Sequence, residues 1–455
     1  MKAKLSLLLL TPLLSLASLS ACGRSSEDEG DDVISISIVS DNSEYTTMNT
    51  FIKKYKSIPG NEDKKFKVVK MNNYHDYIFN AFLYDELTDI VQVFDDSCEY
   101  YTNADLDGAG NSLLQSLTPY MQRDGVKEEE FFESVLVETK CKVGSDEMYW
   151  VPRDYNKVVC AYNKKIFDVA GVDYPKEGWT WSDFVATCEA LNTPEAVMAA
   201  KNYSRSATFY PVDMNADFMA VYYPVLKSYG VDLIDKENKT VFGNKMETAK
   251  YAWNKILSLL DSGLGVLPAD DKIPFTNRQT AMMFMVRPNL PTYVKGLGYD
   301  AIDFVSLPEF DDLPAGCTTS YIGMGCTGYG MTTACPNSKK EAVWDFLKFI
   351  VSEDGQNAFS ESGAGIPSLK KLANDENAVF KQYLVTETNH PNHAAFVAHQ
   401  ERDIGAAFVR GFEVDKQLTI YKFIKDRTLH GFYRTTDRDQ YYIDYKNDME
   451  KIWNK

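Results

Sequence analysis

Three groupings of residues in this chain have the make-up of a reactive or ligand-holding site. Gly323-Met324-Gly325-Cys326-Thr327-Gly328 fits GxGxxG, in which glycines let the backbone approach a pyrophosphate when a strand precedes the run and a helix follows. Here residues 329–333 have strand character and Pro336 comes next, so the phosphate-holding helix is missing and a dinucleotide site is set aside. His390, His393 and His399 supply imidazoles suited to zinc. Pro391 separates the first two, however, and no carboxylate or cysteine pattern surrounds them, which favours a surface loop. Asp95 and Asp96 are the residue type of a glycosidase, whose two acids lie about 5–10 Å apart. Neighbours in one loop rarely give that separation, although either can pair with a distant acid. No GxSxG elbow and no phosphate loop occurs. No metal, cofactor or catalytic set is therefore expected.

Seven cysteines follow Cys22: Cys98, Cys141, Cys160, Cys188, Cys317, Cys326 and Cys335. An odd set cannot pair completely within the chain, none forms CxxC, and the even spacing of the last three is not a zinc pattern. Most are expected to be small buried apolar groups, with one disulfide possible. A net charge of −17 argues against nucleic acid, which selects a basic face. With 455 residues the chain has the length of two lobes, and its 44% hydrophobic share is that of a globular protein. The 28 Tyr and 25 Phe are numerous enough to fill cores and still leave rings for a ligand to stack on.

Before any of these residues comes an address. Two lysines within residues 1–4 precede a leucine-rich run over 5–19 that Thr11, Pro12 and several serines interrupt. A basic start, a short apolar run and small residues at its end describe a secretory signal, and the run falls short of the roughly 20 apolar residues that span a bilayer. Leu19-Ser20-Ala21-Cys22 resembles the bacterial lipoprotein box, which implies cleavage before Cys22 and acylation of its sulfur. The alternative is a plain signal peptide with an incidental cysteine. Residues 23–32 read GRSSEDEGDD, too polar to fold alone, and suit a flexible tether.

The elements that must position the body's residues follow from periodicity. Val33–Val39 alternates Ile34, Ile36 and Ile38 with Ser35 and Ser37, the period of a strand. Met48, Phe51, Ile52 and Tyr55 share a helical face; residues 66–71 and 89–94 read as further strands, with a helix over 74–84 between them. Strands alternating with helices predict an α/β fold with a parallel sheet. Thr180 stands where a cap would open a helix facing inward with Phe184, Cys188 and Leu191. Ala249, Ala252, Trp253, Ile256, Leu257 and Leu260 form an amphipathic stripe. Ser338-Lys339-Lys340-Glu341 reads as a capping box before a helix that buries Val343, Phe346, Leu347 and Ile350. No repeat period is visible.

Three segments resemble the family 1 extracellular solute-binding proteins, the sugar-type lipoproteins of bacterial ABC importers. Within 150–191 are Val151-Pro152, a strand ending Tyr162-Asn163-Lys164, the run IFDVAGVDYP, and Thr180-Trp181 at a helix start. Within 275–308, Ala281-Met282-Met283 and the strand ending at Pro308 are similar to the family's paired strands. Within 323–367 come a Gly-x-Gly turn, a strand, the Ser338 helix, Ser352-Glu353-Asp354-Gly355-Gln356 and Gly363-Ala364-Gly365-Ile366-Pro367. The resemblance covers residues 33 to about 372 and treats the remainder as generic helices. It implies a two-lobed, type II periplasmic-binding-protein-like fold with a hinge and a central cleft. Its lobes would be 33–152 plus 314–364 and 157–312 plus 366–455, after a signal over 1–21 and a tether over 22–32.

The resemblance also nominates ligand contacts, because open α/β sheets bind ligands beyond the carboxyl ends of their strands. Asp41 and Asn42 follow the first strand, and Asp95 and Asp96 the third, with helix capping the alternative for Asp41 and Asp96. Asn156 stands where the family often places a polar contact, with Tyr155 its near alternative. Tyr210 and Asp213 can reach up from the second lobe, or simply pack there. Arg287 occupies a place where the family often has an aromatic, and its fork of donors would suit an acidic or strongly hydrogen-bonding ligand. Tyr321 and Gly323 flank the glycine turn, where backbone can approach a ligand closely. Trp181 reads as structural.

The function these implications converge on is non-enzymatic. A monomeric protein, lipid-anchored on the extracytoplasmic face, captures a small ligand (first of all a carbohydrate) and delivers it to an ABC permease by hinged closure. An extracellular lipoprotein glycan hydrolase and a binder of a non-sugar solute are the alternatives.

Overall fold

The computed structural model describes residues 32–103, 112–237, 239–267, 274–406 and 414–454. Cys22, the signal segment and all of the tether except Asp32 lie outside the described residues.

Two five-stranded sheets organise the chain. The first runs Lys65–Met71, Val33–Val39, Ile90–Phe94, Thr327–Met331, Val151–Pro152. Its first three strands are parallel, and Thr327–Met331 is antiparallel to both of its neighbours. The second runs Gly265–Val266, Tyr210–Asp213, Thr280–Met285, Val159–Asn163, Ile302–Val305. Again three parallel strands come first, and Val159–Asn163 opposes both of its neighbours. One pattern of strand directions thus occurs twice, although the sequence shows no repeat.

A third, small sheet runs Asp403–Ile404, Ile322–Gly325, Asn156–Lys157. The chain leaves the first sheet at Val151–Pro152, passes through Asn156–Lys157 and enters the second at Val159–Asn163. It returns from Ile302–Val305 through Ile322–Gly325 to Thr327–Met331. Two crossing segments therefore pair antiparallel, and Asp403–Ile404 adds a parallel strand beside them.

The periodic segments form for the reasons their patterns give. Ile34, Ile36 and Ile38 are buried; Ser37 is buried too, its hydroxyl accepting from Thr88 Oγ1 at 2.9 Å. The stripe of helix Met246–Asp261 is buried, with Leu259 added. Thr180 and Asp183 make a reciprocal capping box at helix Trp181–Leu191. The Ser338 box does not form: helix Lys340–Ile350 starts after Lys339 with no side-chain cap, and Lys339 Nζ instead reaches the Val33 carbonyl at 2.8 Å. The Gly-x-Gly segment is not a turn either. Ile322–Gly325 and Thr327–Met331 are strands separated by Cys326 alone, and a Cβ on Gly328 would stand 1.9 Å from the Val151 carbonyl oxygen.

Helices Val414–Arg427, Leu429–Arg434 and Arg438–Trp453 close the chain against the second sheet's core. Phe432 packs on Trp253 at 5.1 Å and on Tyr442 at 4.3 Å between ring centroids. All seven described cysteines are free thiols, six of them buried, with Cys317 half-buried.

Candidate functional site

A cavity of about 360 Å³ opens where the three sheets meet. The first sheet contributes Asp95 and Asp96, immediately after the carboxyl end of Ile90–Phe94. The crossing segments contribute Asn156, Met324, Gly325, Cys326 and Thr327. From the second lobe come Val286 and the first turns of helix Met219–Ser228, with Phe218, Tyr222 and Tyr223 as its aromatics. Ile404, Gly405 and Ala406 form a further wall, and Lys425 comes from the C-terminal helices.

Glycines let the backbones approach. A Cβ on Gly323 would lie 1.8 Å from the Ala220 carbonyl oxygen, so only glycine lets this strand lie on the start of helix Met219–Ser228. On Gly325 it would meet the Asp95 carboxylate at 2.9 Å. That carboxylate accepts from the Asp96 backbone N–H at 3.0 Å, fixing the Asp95-Asp96 corner.

Asn156 is the informative polar group. It is 9% exposed, and its Oδ1 has no hydrogen-bond donor among the described residues. Leaving a buried acceptor unpaired costs about 1–3 kcal/mol, which a ligand donor can recover.

Three of the ten nominated contacts, Asp95, Asp96 and Asn156, share this cavity. The other seven are placed elsewhere. Asp41 is exposed and caps helix Asn42–Lys56, accepting from the Ser43 and Glu44 backbone N–H groups at 2.6 and 3.1 Å; the Ser43 hydroxyl leads in holding its carboxyl below the ordinary range. Asn42 is the exposed first residue of that helix. Tyr210 opens its strand beside Thr280. Asp213 is 1% exposed and accepts from the Asn215 N–H at 2.9 Å, and burial pushes its carboxyl up to about 6. Tyr321 lines a separate small cavity with Trp181, Pro224 and Phe310. Gly323 is spent on packing against Ala220.

Arg287 does not reach the cavity, though Val286 before it does. Its guanidinium is wholly buried between the rings of Phe380 and Phe396, at 5.0 and 5.1 Å, and donates to the Phe380 carbonyl at 2.6 Å. It also meets His393 Nδ1 at 2.9 Å, while the other ring nitrogen of His393 engages the Tyr383 carbonyl. His393 is thus a core residue, not part of a surface loop. Burial first, then the Arg287 charge, holds its imidazole down to about 3, so it stays neutral. Tyr155 is likewise buried, its hydroxyl bonded to Asp403 at 2.6 Å. Trp181 packs on Phe184 and Phe310 at 5.1 and 5.0 Å, the structural role its motif suggests.

Sequence reasoning missed the helix aromatics, the Ile404–Ala406 wall and Lys425. Phe218 and Tyr222 stand four apart at a helix start, a spacing that puts two rings on one face. Nothing local marks the wall.

A family model described as bacterial extracellular solute-binding protein matches residues 98–386. The chain belongs to that family. No curated protein matches it in sequence. Among solved structures this solute-binding protein is similar to UgpB from Mycobacterium tuberculosis in complex with glycerophosphocholine. The TM-score is 0.70 at 15% identity, with 94% of this chain and 99% of that one covered. It is also similar to an ABC substrate-binding protein from Listeria monocytogenes in complex with cycloalternan (TM-score 0.68, 16% identity, 92% and 98% covered). A third likeness is to the sugar-binding protein MalE from Xanthomonas citri (0.66, 14%, 93% and 97%). At identities this low the structural likeness shows the shared two-lobed α/β fold alone. Among the described residues no helix is long and apolar enough to cross a membrane.

Proposed function

We propose that this solute-binding protein captures a small polyhydroxylated ligand, a carbohydrate, in the cavity between its lobes and hands it to an ABC importer. The carrying observation is Asn156: a buried acceptor with no donor among the described residues, on the wall where the two lobes join. A sugar hydroxyl supplies the missing donor, the Asp95-Asp96 corner accepts further hydroxyls, and Phe218, 39% exposed at the rim, offers a ring to a C–H face. Several similar structures hold carbohydrates, namely cycloalternan, tagatose and maltose, which supports the same class here.

In this reading the lobes are 33–152 plus 314–364 and 157–312 plus 366–455. Contacts from both lobes form only when they close, so ligand favours the closed state, which docks on the permease. The N-terminal sequence supports export and acylation of Cys22, which would tether a monomer at the extracytoplasmic face of the membrane. The protein does no chemistry: Asp95 and Asp96, adjacent in sequence, are the acids lining the described cavity, whereas glycoside hydrolysis requires two acids facing each other across the substrate.

The test is thermal-shift screening of the body from residue 32 onward against mono- and oligosaccharides, amino acids and metals, followed by calorimetry. A carbohydrate should raise the melting temperature, and Asn156→Ala should weaken carbohydrate affinity by about tenfold, the worth of one well-made hydrogen bond. An amino acid that binds where no sugar does, or release of cleaved sugar, refutes the proposal.

A further inference from the structure

Lys157 and Asp403 form an ion pair at 2.6 Å with both side chains 1% exposed. Asp403 also accepts from the Tyr155 hydroxyl at 2.6 Å and from the Ser134 hydroxyl at 3.4 Å. Lys157 donates to the carbonyls of Ala398 and His399, the latter at 2.9 Å. Burial opposes both charges, pushing the lysine down and the carboxyl up, and each partner is the main force holding the other ionised.

The placement of this pair matters more than its strength. Successive residues of a strand point to opposite faces. Asn156 and Ile404 line the cavity, and the residues beside them, Lys157 and Asp403, join behind it. The pair therefore links the segment carrying the unpartnered Asn156 to the segment that becomes the Ile404–Ala406 wall. That wall is thin. A second cavity, of about 550 Å³, lies on its other side, and Ile404, Gly405 and Tyr223 line both. The Glu138 carboxylate stands against Gly405, a short ladder joins the wall to Ile322–Gly323, and Ile404 packs on the core of the second sheet.

We propose that the Lys157–Asp403 pair is a positioning device: it sets the separation of the Ile404–Ala406 wall from Asn156, and thereby ligand affinity, without touching the ligand. This rests on the ligand-site reading above. It differs from a purely structural pair in a way that can be measured.

Removing one partner strands a buried charge and risks unfolding, whereas neutralising both leaves similar volume behind. The variant is therefore Lys157→Met with Asp403→Asn, whose amide oxygen still accepts from Tyr155. The first readout is amide hydrogen exchange of the ligand-free protein; the second is calorimetric affinity for maltotriose and maltotetraose. The double variant should melt near the parent, exchange about tenfold faster at residues 404–406 while the strands of both large sheets keep their protection, and bind sugar about tenfold more weakly. Parent-like exchange at 404–406, or acceleration spread evenly over both sheets, overturns the proposal. So does parent-like affinity in the double variant when the parent binds. If neither sugar binds the unmodified protein, the choice of carbohydrate fails, and the exchange measurement still decides whether the pair holds the wall.

Discussion

Asp213→Asn should stabilise the protein at neutral pH and lose that advantage in acid. Asp213 ends an interior strand of the second sheet and is 1% exposed, and its carboxylate accepts from the Asn215 N–H. Burial raises its carboxyl from 3.8 to about 6, with Asp217 adding to the rise and the Asn215 N–H opposing it. Because the folded chain binds this proton more tightly than the unfolded chain, the group favours the fold most below about pH 4. That contribution is lost as pH rises to about 6, and above it the ionised carboxylate weighs against folding by about 3 kcal/mol. Asparagine has the same shape and no charge, but its amide brings donors that cost about 1 kcal/mol each if unpaired. The net gain expected at pH 7.5 is therefore about 1–2 kcal/mol, turning to a small loss at pH 4. Urea unfolding followed by tryptophan emission reports the core that packs on the second sheet through Trp179, Trp181, Trp253 and Trp453, and the other cores through Trp150 and Trp344. Measured from pH 4 to 8 at constant ionic strength, the difference between variant and parent should grow through pH 4–6. A difference that does not vary with pH shows that the Asp213 carboxyl titrates alike in the folded and unfolded chains, and refutes the reasoning.

Gly323→Ala should destabilise the junction strongly and lower both melting temperature and affinity, because the added carbon would sit 1.8 Å from the Ala220 carbonyl oxygen; a parent-like melting curve contradicts the packing described. Asp41→Ala should cost about 1 kcal/mol through the lost helix cap while leaving affinity within about twofold, as measured by denaturation and calorimetry. Arg287→Met should alter stability yet spare affinity in the same assay, since the guanidinium faces Phe380, Phe396 and His393 rather than the cavity.

What could be read from the sequence was what local periodicity and capping encode. The alternating isoleucines of Val33–Val39, the stripe of Met246–Asp261 and the Thr180 cap each act within a few residues, and each stands in the structure as expected. The Ser338 box did not form: the helix starts one residue later, after Lys339, whose side chain bonds the distant Val33 carbonyl. The glycines at 323, 325 and 328 were readable as places of close backbone approach. What approaches could not be read, and it is the chain itself: Ala220, the Asp95 carboxylate and Val151. Arg287 misled for the same reason. A fork of donors beside a cavity-lining residue looks like ligand chemistry until Phe380 and His393, about a hundred residues later, are found to occupy it.

The site's composition explains why its centre was legible and its walls were not. Asp95, Asp96 and Asn156 follow directly from strand ends and a crossing segment, features that a topology of two open sheets fixes. Phe218–Tyr223, Ile404–Ala406 and Lys425 arrive from helices and a two-residue strand whose places depend on long-range contacts alone. In such an arrangement the candidate ligand contacts and the junction adjoin one another. Asn156 adjoins Lys157, Ile404 adjoins Asp403, and Gly323 holds the strand between them against the helix that carries the aromatics. Ligand that binds only the joined state must then stabilise that junction by mass action, so saturating sugar should slow exchange at Asn156–Val158 and at Ile404–Ala406 together, including positions that never touch it. Protection confined to direct contacts would separate the junction from the site.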